Sequence, residues 1–164
     1  MNDLNLSIIN ISSPYKVWEE DGEYRFLTDS EILYAMGFDK DMMGKFVVYW
    51  FNLINRSHIH SLNDVKLGKT VAIVIEEFFR VNPDVLLYLC DSAKGQQAMR
   101  ARLFKRWFSK FDTNGLFDVK SAIIQDEDVD NYISMIIPKH HPQYNEIVTL
   151  FTDEVERFSN MKRT

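Results

Sequence analysis

Val85 to Cys90 reads Val-Leu-Leu-Tyr-Leu-Cys, an uncharged run closed off by Pro83 before it and Asp91 after it. Such a run is too short for a buried helix and about right for a strand covered on both faces. A strand of that kind needs a layer on each side, so it constrains everything packed around it. Upstream, Gly68 to Arg80 has helical spacing. Val71, Val74, Ile75 and Phe78 repeat at three and four, and Phe79 widens the stripe. Asn82-Pro83 stops that helix, because proline lacks a donor and disfavours helix in the residue before it. Before it lies Phe46 to Ile54, almost continuously apolar, as in a central strand.

The flanks add pairing strands. Tyr15 to Glu19 and Glu23 to Thr28 alternate apolar and polar around Glu20-Asp21-Gly22, which predicts a hairpin. Glu31 to Phe38 puts Ile32, Tyr34, Met36 and Phe38 on one face. The first third therefore reads as a four-stranded antiparallel meander. Downstream, Lys94 to Phe111 is an amphipathic helix ended by Asp112-Thr113-Asn114-Gly115. Phe117 to Gln125 and Asn131 to Pro138 form a hairpin around the acidic Asp126 to Asp130 loop. Pro142 to Phe158 is a last helix, with Ile147, Val148, Phe151, Val155 and Phe158 as its stripe.

The order ββββ-α-β-α-ββ-α predicts an α+β fold, with a mixed, largely antiparallel sheet and helices packed on its faces. Residues 1–14 are expected as a loose N-terminal arm pairing at an edge, 15–159 as one α+β domain and 160–164 as a C-terminal tail. At 164 residues, 46% of them hydrophobic, the chain can bury one core without staples.

Charge and cysteine content narrow the function classes. A net charge of −5 disfavours general nucleic-acid or membrane-surface binding, though a local basic patch keeps nucleic acid as a minor alternative. One cysteine, Cys90, builds no disulfide framework, so a reducing cytoplasm is the expected compartment. The first residues lack a basic segment followed by an apolar run, so no signal peptide is expected. No apolar run approaches the ~20 residues of a membrane span.

Signatures of catalysis and metal binding are weak. Asn63 to Thr70 ends in Gly68-Lys69-Thr70 like a P-loop, but position 63 is Asn where the phosphate cradle needs Gly. His58 with His60, and His140 with His141, lack a carboxylate or cysteine at ligand spacing, so no metal is expected. Asp126 to Asp130 lacks the order of a calcium loop. Asp91 beside Cys90 raises a thiol pKa rather than lowering it.

The helix from Lys94 is more informative. Lys94, Arg100, Arg102, Lys105, Arg106 and Lys110 lie on it with no acid among them. Met99, Leu103, Trp107 and Phe111 make its apolar stripe, and Arg102, Lys105 and Arg106 fall outside that stripe. Like charges at three and four spacing cost a few tenths of a kcal/mol per pair, which an anionic partner relieves. The expected partner is an acidic protein or a small anionic ligand meeting Arg102, Lys105 and Arg106. The loop before it offers a candidate polar pocket. Asp91 is an N-cap type, Gly95 admits a close backbone, Gln96 sits at the helix start, and Arg100 reaches back towards Asp91. A capping network accounts for the same residues.

Two resemblances follow from these residues. From Phe46 to Pro138 the element order is similar to the Gcn5-related acetyltransferases, which run through a central strand, helix, strand, helix and two closing strands. That resemblance implies an acetyl-CoA pyrophosphate at a helix start, here Gly68, Lys69 and Thr70. Of the superfamily's Arg/Gln-x-x-Gly-x-Gly/Ala pattern only Gly68 matches, since Val65 and Thr70 stand at the first and last positions. Leu103-Phe104-Lys105 departs likewise from its Leu-Tyr-x-Lys. Separately, Glu76-Glu77-Phe78-Phe79, Asp84 to Asp91, and Gly95-Gln96-Gln97-Ala98-Met99-Arg100-x-Arg102-Leu103-Phe104-x-Arg106-Trp107-Phe108 resemble a family of short bacterial proteins of unknown function from Bacteroidetes. That resemblance implies a cytosolic bacterial protein, and it brings no activity, no cofactor and no enzyme class.

Overall fold

The computed structural model describes residues 1–59, 64–90, 106, 109–110, 115–126 and 129–162. In chain order its elements are helix α1 (Leu6–Ser12), strands β1 (Trp18–Glu20), β2 (Glu23–Leu27), β3 (Leu33–Met43) and β4 (Phe46–Asn55), helix α2 (Val65–Val81), strands β5 (Val85–Cys90), β6 (Phe117–Asp126) and β7 (Val129–Pro138), and helix α3 (Tyr144–Lys162). Arg106, Ser109 and Lys110 are also helical. The strands form one seven-stranded sheet in the order β1-β2-β3-β4-β5-β7-β6. Pairs β1–β2, β2–β3, β5–β7 and β6–β7 are antiparallel. This is the α+β class, with a mostly antiparallel sheet, that the element order predicts.

The chain divides into two compact units, Met1–Asp39 with Phe51–Pro83, and Lys40–Trp50 with Asp84–Thr164. In the first, the β1–β2 hairpin turns on Asp21 and Gly22, both at positive φ (53° and 76°). Two such residues match the right-handed twist of the flanking strands, and Asp-Gly is among the few dipeptides that tolerate them. Phe26 stacks between Tyr15 and Tyr34, with centroids 5.9 and 5.5 Å away. Phe38 stacks on Phe78 of α2 at 5.1 Å and packs on Phe51 at 5.4 Å. Each such pair adds ~0.5–1.5 kcal/mol beyond its buried area.

Several boundaries differ from expectation: β1 begins at Trp18 rather than Tyr15, and β3 runs from Leu33 to Met43 rather than from Glu31 to Phe38. Leu6–Ser12 is a helix rather than an edge-pairing segment, with Asn5 as its N-cap and Ile9 fully buried. Helix α2 starts at Val65, three residues before Gly68, because Asp64 caps it through the amides of Lys66 and Leu67. A capping carboxylate there satisfies orphan donors and complements the helix dipole.

In the second unit, Val85 and Leu87 of β5 share a sheet face with Ile133, Met135 and Ile137 of β7. Helix α3 contributes Ile147 and Phe151 to the same cluster. Leu86 and Ile136, on the opposite face, are fully buried as well. The β5 run is thus covered on both sides at its start, while Leu89 near its end is 47% exposed. Helix α3 begins at Tyr144 and runs to Lys162, into the expected tail.

Candidate functional site

Of the residues singled out by sequence, Asp91, Gly95, Gln96, Arg100, Arg102 and Lys105 lie outside the described residues. Arg106 is described, helical and exposed. Gly68, Lys69 and Thr70 are all described. They lie inside α2 rather than at its start, with Gly68 and Thr70 buried and Lys69 exposed. The Gly68 amide bonds the Asp64 carbonyl, and the Thr70 hydroxyl donates to the Lys66 carbonyl at 2.8 Å. The donors a ligand would find at this helix start are those of the first turn, and two of them are already taken by Asp64.

That helix start gathers a polar cluster in the first unit. Asp64 Oδ1 accepts from the amides of Lys66 (2.9 Å) and Leu67 (3.2 Å). Its Oδ2 accepts the Tyr15 hydroxyl at 2.6 Å. Burial and the bond to Asp64 push the Tyr15 phenol up to about 12. Tyr15 therefore holds its proton throughout the physiological range and works as a donor, not as a base. Lys66 pairs with Asp29 at 2.7 Å, and its Nζ lies 5.7 Å from the Tyr15 ring centroid. The Tyr15 amide bonds Thr70 Oγ1 at 3.4 Å. Chemically this cluster caps a helix and ties Tyr15 to it. Asp64 is an N-cap type and Tyr15 opens an alternating strand, but their pairing across 49 residues has no local signal.

The other end of α2 holds a second cluster that sequence reasoning missed. Glu77 is 3% exposed. It accepts from Arg80 Nε and Nη2 at 2.8 and 2.7 Å and from the Asn5 amide at 3.2 Å. The Arg80 bonds hold its carboxyl below the usual range, against the opposing effect of burial. Asn82, 4% exposed, accepts from the Asn2 amide at 2.8 Å and donates to the Phe78 carbonyl at 3.1 Å. The i,i+3 spacing of Glu77 and Arg80 was visible in the sequence. The burial of Glu77 was not.

In the second unit a shallow polar depression lies at the start of α3, lined by Lys139, His141, Gln143, Tyr144 and Glu146. The Tyr144 hydroxyl donates to Asp118, which raises the phenol pKa. Lys139 Nζ stands 3.9 Å from Asp118, and Lys45 pairs with Glu146 at 2.8 Å. Asp84 has its pKa raised by burial, with His141 and Lys40 pulling the other way.

Among the described residues, no group of three or more His, Cys, Asp or Glu is gathered for a metal ion. Among the same residues, no helix is long and apolar enough to cross a membrane. No curated protein and no solved structure matches the chain significantly. A family model does, described as a family of unknown function (DUF6169). It covers residues 63–153, from the cap of α2 to the middle of α3, and the chain belongs to that family.

Proposed function

We propose that the protein is a non-catalytic interaction or regulatory module whose basic helix, residues 94–111, meets an acidic protein or another anionic ligand through Arg102, Lys105 and Arg106. The carrying observation is the lopsided charge of that stretch, six cations and no acid in a chain of net charge −5. The exposed, helical Arg106 supports it. The single cysteine supports work in a reducing cytosol.

The test is binding of a fluorescent polyglutamate peptide by the full chain across a salt series. Wild type is expected to bind, and to bind more weakly as salt screens the contact. Arg102→Glu with Arg106→Glu is expected to abolish binding while leaving the circular dichroism unchanged. Undiminished binding by that folded variant overturns the reading.

A second reading is an acetyl-CoA-dependent N-acetyltransferase or a degenerate relative. It is favoured by one observation: β4 and β5 are sheet neighbours connected through α2, and the β6–β7 hairpin closes the sheet. Gly68, Lys69 and Thr70 would then lie near the cofactor pyrophosphate, and the Asp64 cap would have to yield amides to it. This reading predicts thermal stabilisation by acetyl-CoA, about 2.7 kcal/mol at a hundredfold excess over its dissociation constant. An unshifted melting temperature at saturating cofactor ends it.

A further inference from the structure

The sheet has two edges of very different character. Strand β1 has three residues, two of them glutamates. A short, charged edge strand is a protected one. Strand β6, at the other edge, has ten residues. Its register with β7 runs without a slip from Phe117↔Pro138 to Asp126↔Val129, so it carries no bulge. It contains no proline and a single lysine, Lys120. Among the described residues no strand lies beyond it.

Backbone parity shows what that edge presents. The Lys139 amide donates to the Leu116 carbonyl at 2.9 Å, one step outside the Phe117↔Pro138 pair. Hydrogen-bonded and non-bonded pairs alternate along an antiparallel ladder. Asp118, Lys120, Ala122 and Ile124 therefore exchange bonds with β7. Val119, Ser121 and Ile123 turn their N–H and C=O groups away from it. Ser121 and Ile123 are also exposed at the side chain, Ile123 to 49%.

We propose that β6 pairs antiparallel with β6 of a second copy of this chain, about a two-fold axis at Val119. Charge selects both the occupant and the register. Centring on Val119 sets Asp118 opposite Lys120 twice, once on each side of the axis. Opposite charges facing across strands stabilise, and like charges destabilise. Centring on Lys120 sets lysine against lysine. Centring on Ser121 sets Lys120 against Ala122 and leaves both charges unmatched. Lys120 is exposed and has no ion pair among the described residues. Asp118 holds Tyr144 through one oxygen, and its other oxygen is 3.9 Å from Lys139. The outward donors and acceptors of Val119 then face those of its own symmetry mate, and two sheets join into one.

Sedimentation equilibrium of the full chain is expected to give twice its 19.4 kDa. Val119→Cys is expected to form an interchain disulfide on mild oxidation, since self-opposed residues sit at disulfide range, about 5.5 Å between Cα atoms. Ser121→Cys, and wild type with its native Cys90, are expected not to. Lys120→Glu faces Asp118 with a like charge and is expected to raise the dissociation constant about tenfold. Val119→Pro blocks the edge without removing a β7 bond, since the Val119 amide points outward, and is expected to yield a folded monomer. A wild-type chain that stays monomeric at every concentration overturns the proposal. So does a dimer untouched by Lys120→Glu and Val119→Pro, or one that crosslinks through Ser121→Cys instead.

Discussion

A carboxylate only 3% exposed is expensive to desolvate unless donors surround it. Glu77 has three, two from Arg80 and one from the Asn5 amide. Because the Arg80 bonds lower its pKa, Glu77 contributes stability that is present above its unfolded value, about 4.3, and is lost as pH falls below that. Glu77→Gln is expected to cost about 2 kcal/mol at neutral pH and progressively less in acid, so that the two chains converge towards low pH in denaturant titrations. Parallel profiles for wild type and variant would show that the acid limb belongs to other groups. Tyr15 is the mirror case. Its raised pKa supports stability below 10 that is lost as pH rises towards about 12. The role of Tyr15 was not legible in the sequence, because its partner Asp64 lies 49 residues on, and for Glu77 only the spacing to Arg80 was, not its burial or its bond from Asn5 72 residues away. Glu77 stands in Glu76-Glu77-Phe78-Phe79 beside Glu76, which is exposed, so the residue types alone do not say which acid is buried.

Elements were legible where their signals are local. Asp21-Gly22 fixes a tight hairpin through its own φ preferences, and Asn82-Pro83 ends α2 by its own chemistry. Helix α1 lacked such signals. Ile8, Ile9 and Ile11 are β-branched and favour strand, and the helix stands because Asn5 caps it and Ile9 is buried. Tertiary contacts override propensity there. The β3–β4 turn offers a direct test. Gly44 has φ +60°, and a Cβ on it would stand 2.8 Å from Leu150 Cδ2. Leucine can swing its end away, so the backbone conformation sets the cost. Gly44→Ala is expected to lose about 1–2 kcal/mol in urea denaturation. Gly37→Ala, in β3 with no positive φ and its nearest neighbour at 3.9 Å, serves as a control expected to lose nothing. Equal effects at the two sites would contradict the argument from φ.

At the scale of the whole molecule, the α+β class and element order were readable because apolar periodicity alternates between strand and helix along the chain. The placing of β7 inside β6 also had a signal. Ile133, Met135, Ile136 and Ile137 make β7 apolar on both faces, as a central strand must be, while Asp118, Lys120 and Ser121 suit β6 to an edge. The candidate site was less legible. Its polar pocket and most of its basic face fall outside the described residues, and the cofactor turn proved to be helix interior because the Asp64 cap extends α2 backwards. The chain also carries an order of events in its synthesis. The Asn5 amide finds its acceptor 72 residues downstream, on Glu77, and Asn2 finds Asn82 at 80. At 5–20 residues per second, roughly 4–14 s separate the appearance of Asn5 from that of Glu77. Strands β1, β2 and β3 can pair as they emerge, and Asn10 can tie the apolar helix α1 to Val17 early, whereas its bond to α2 waits until Glu77 has been made. Slow translation between residues 40 and 77 would lengthen the interval in which a chaperone or protease meets that apolar segment.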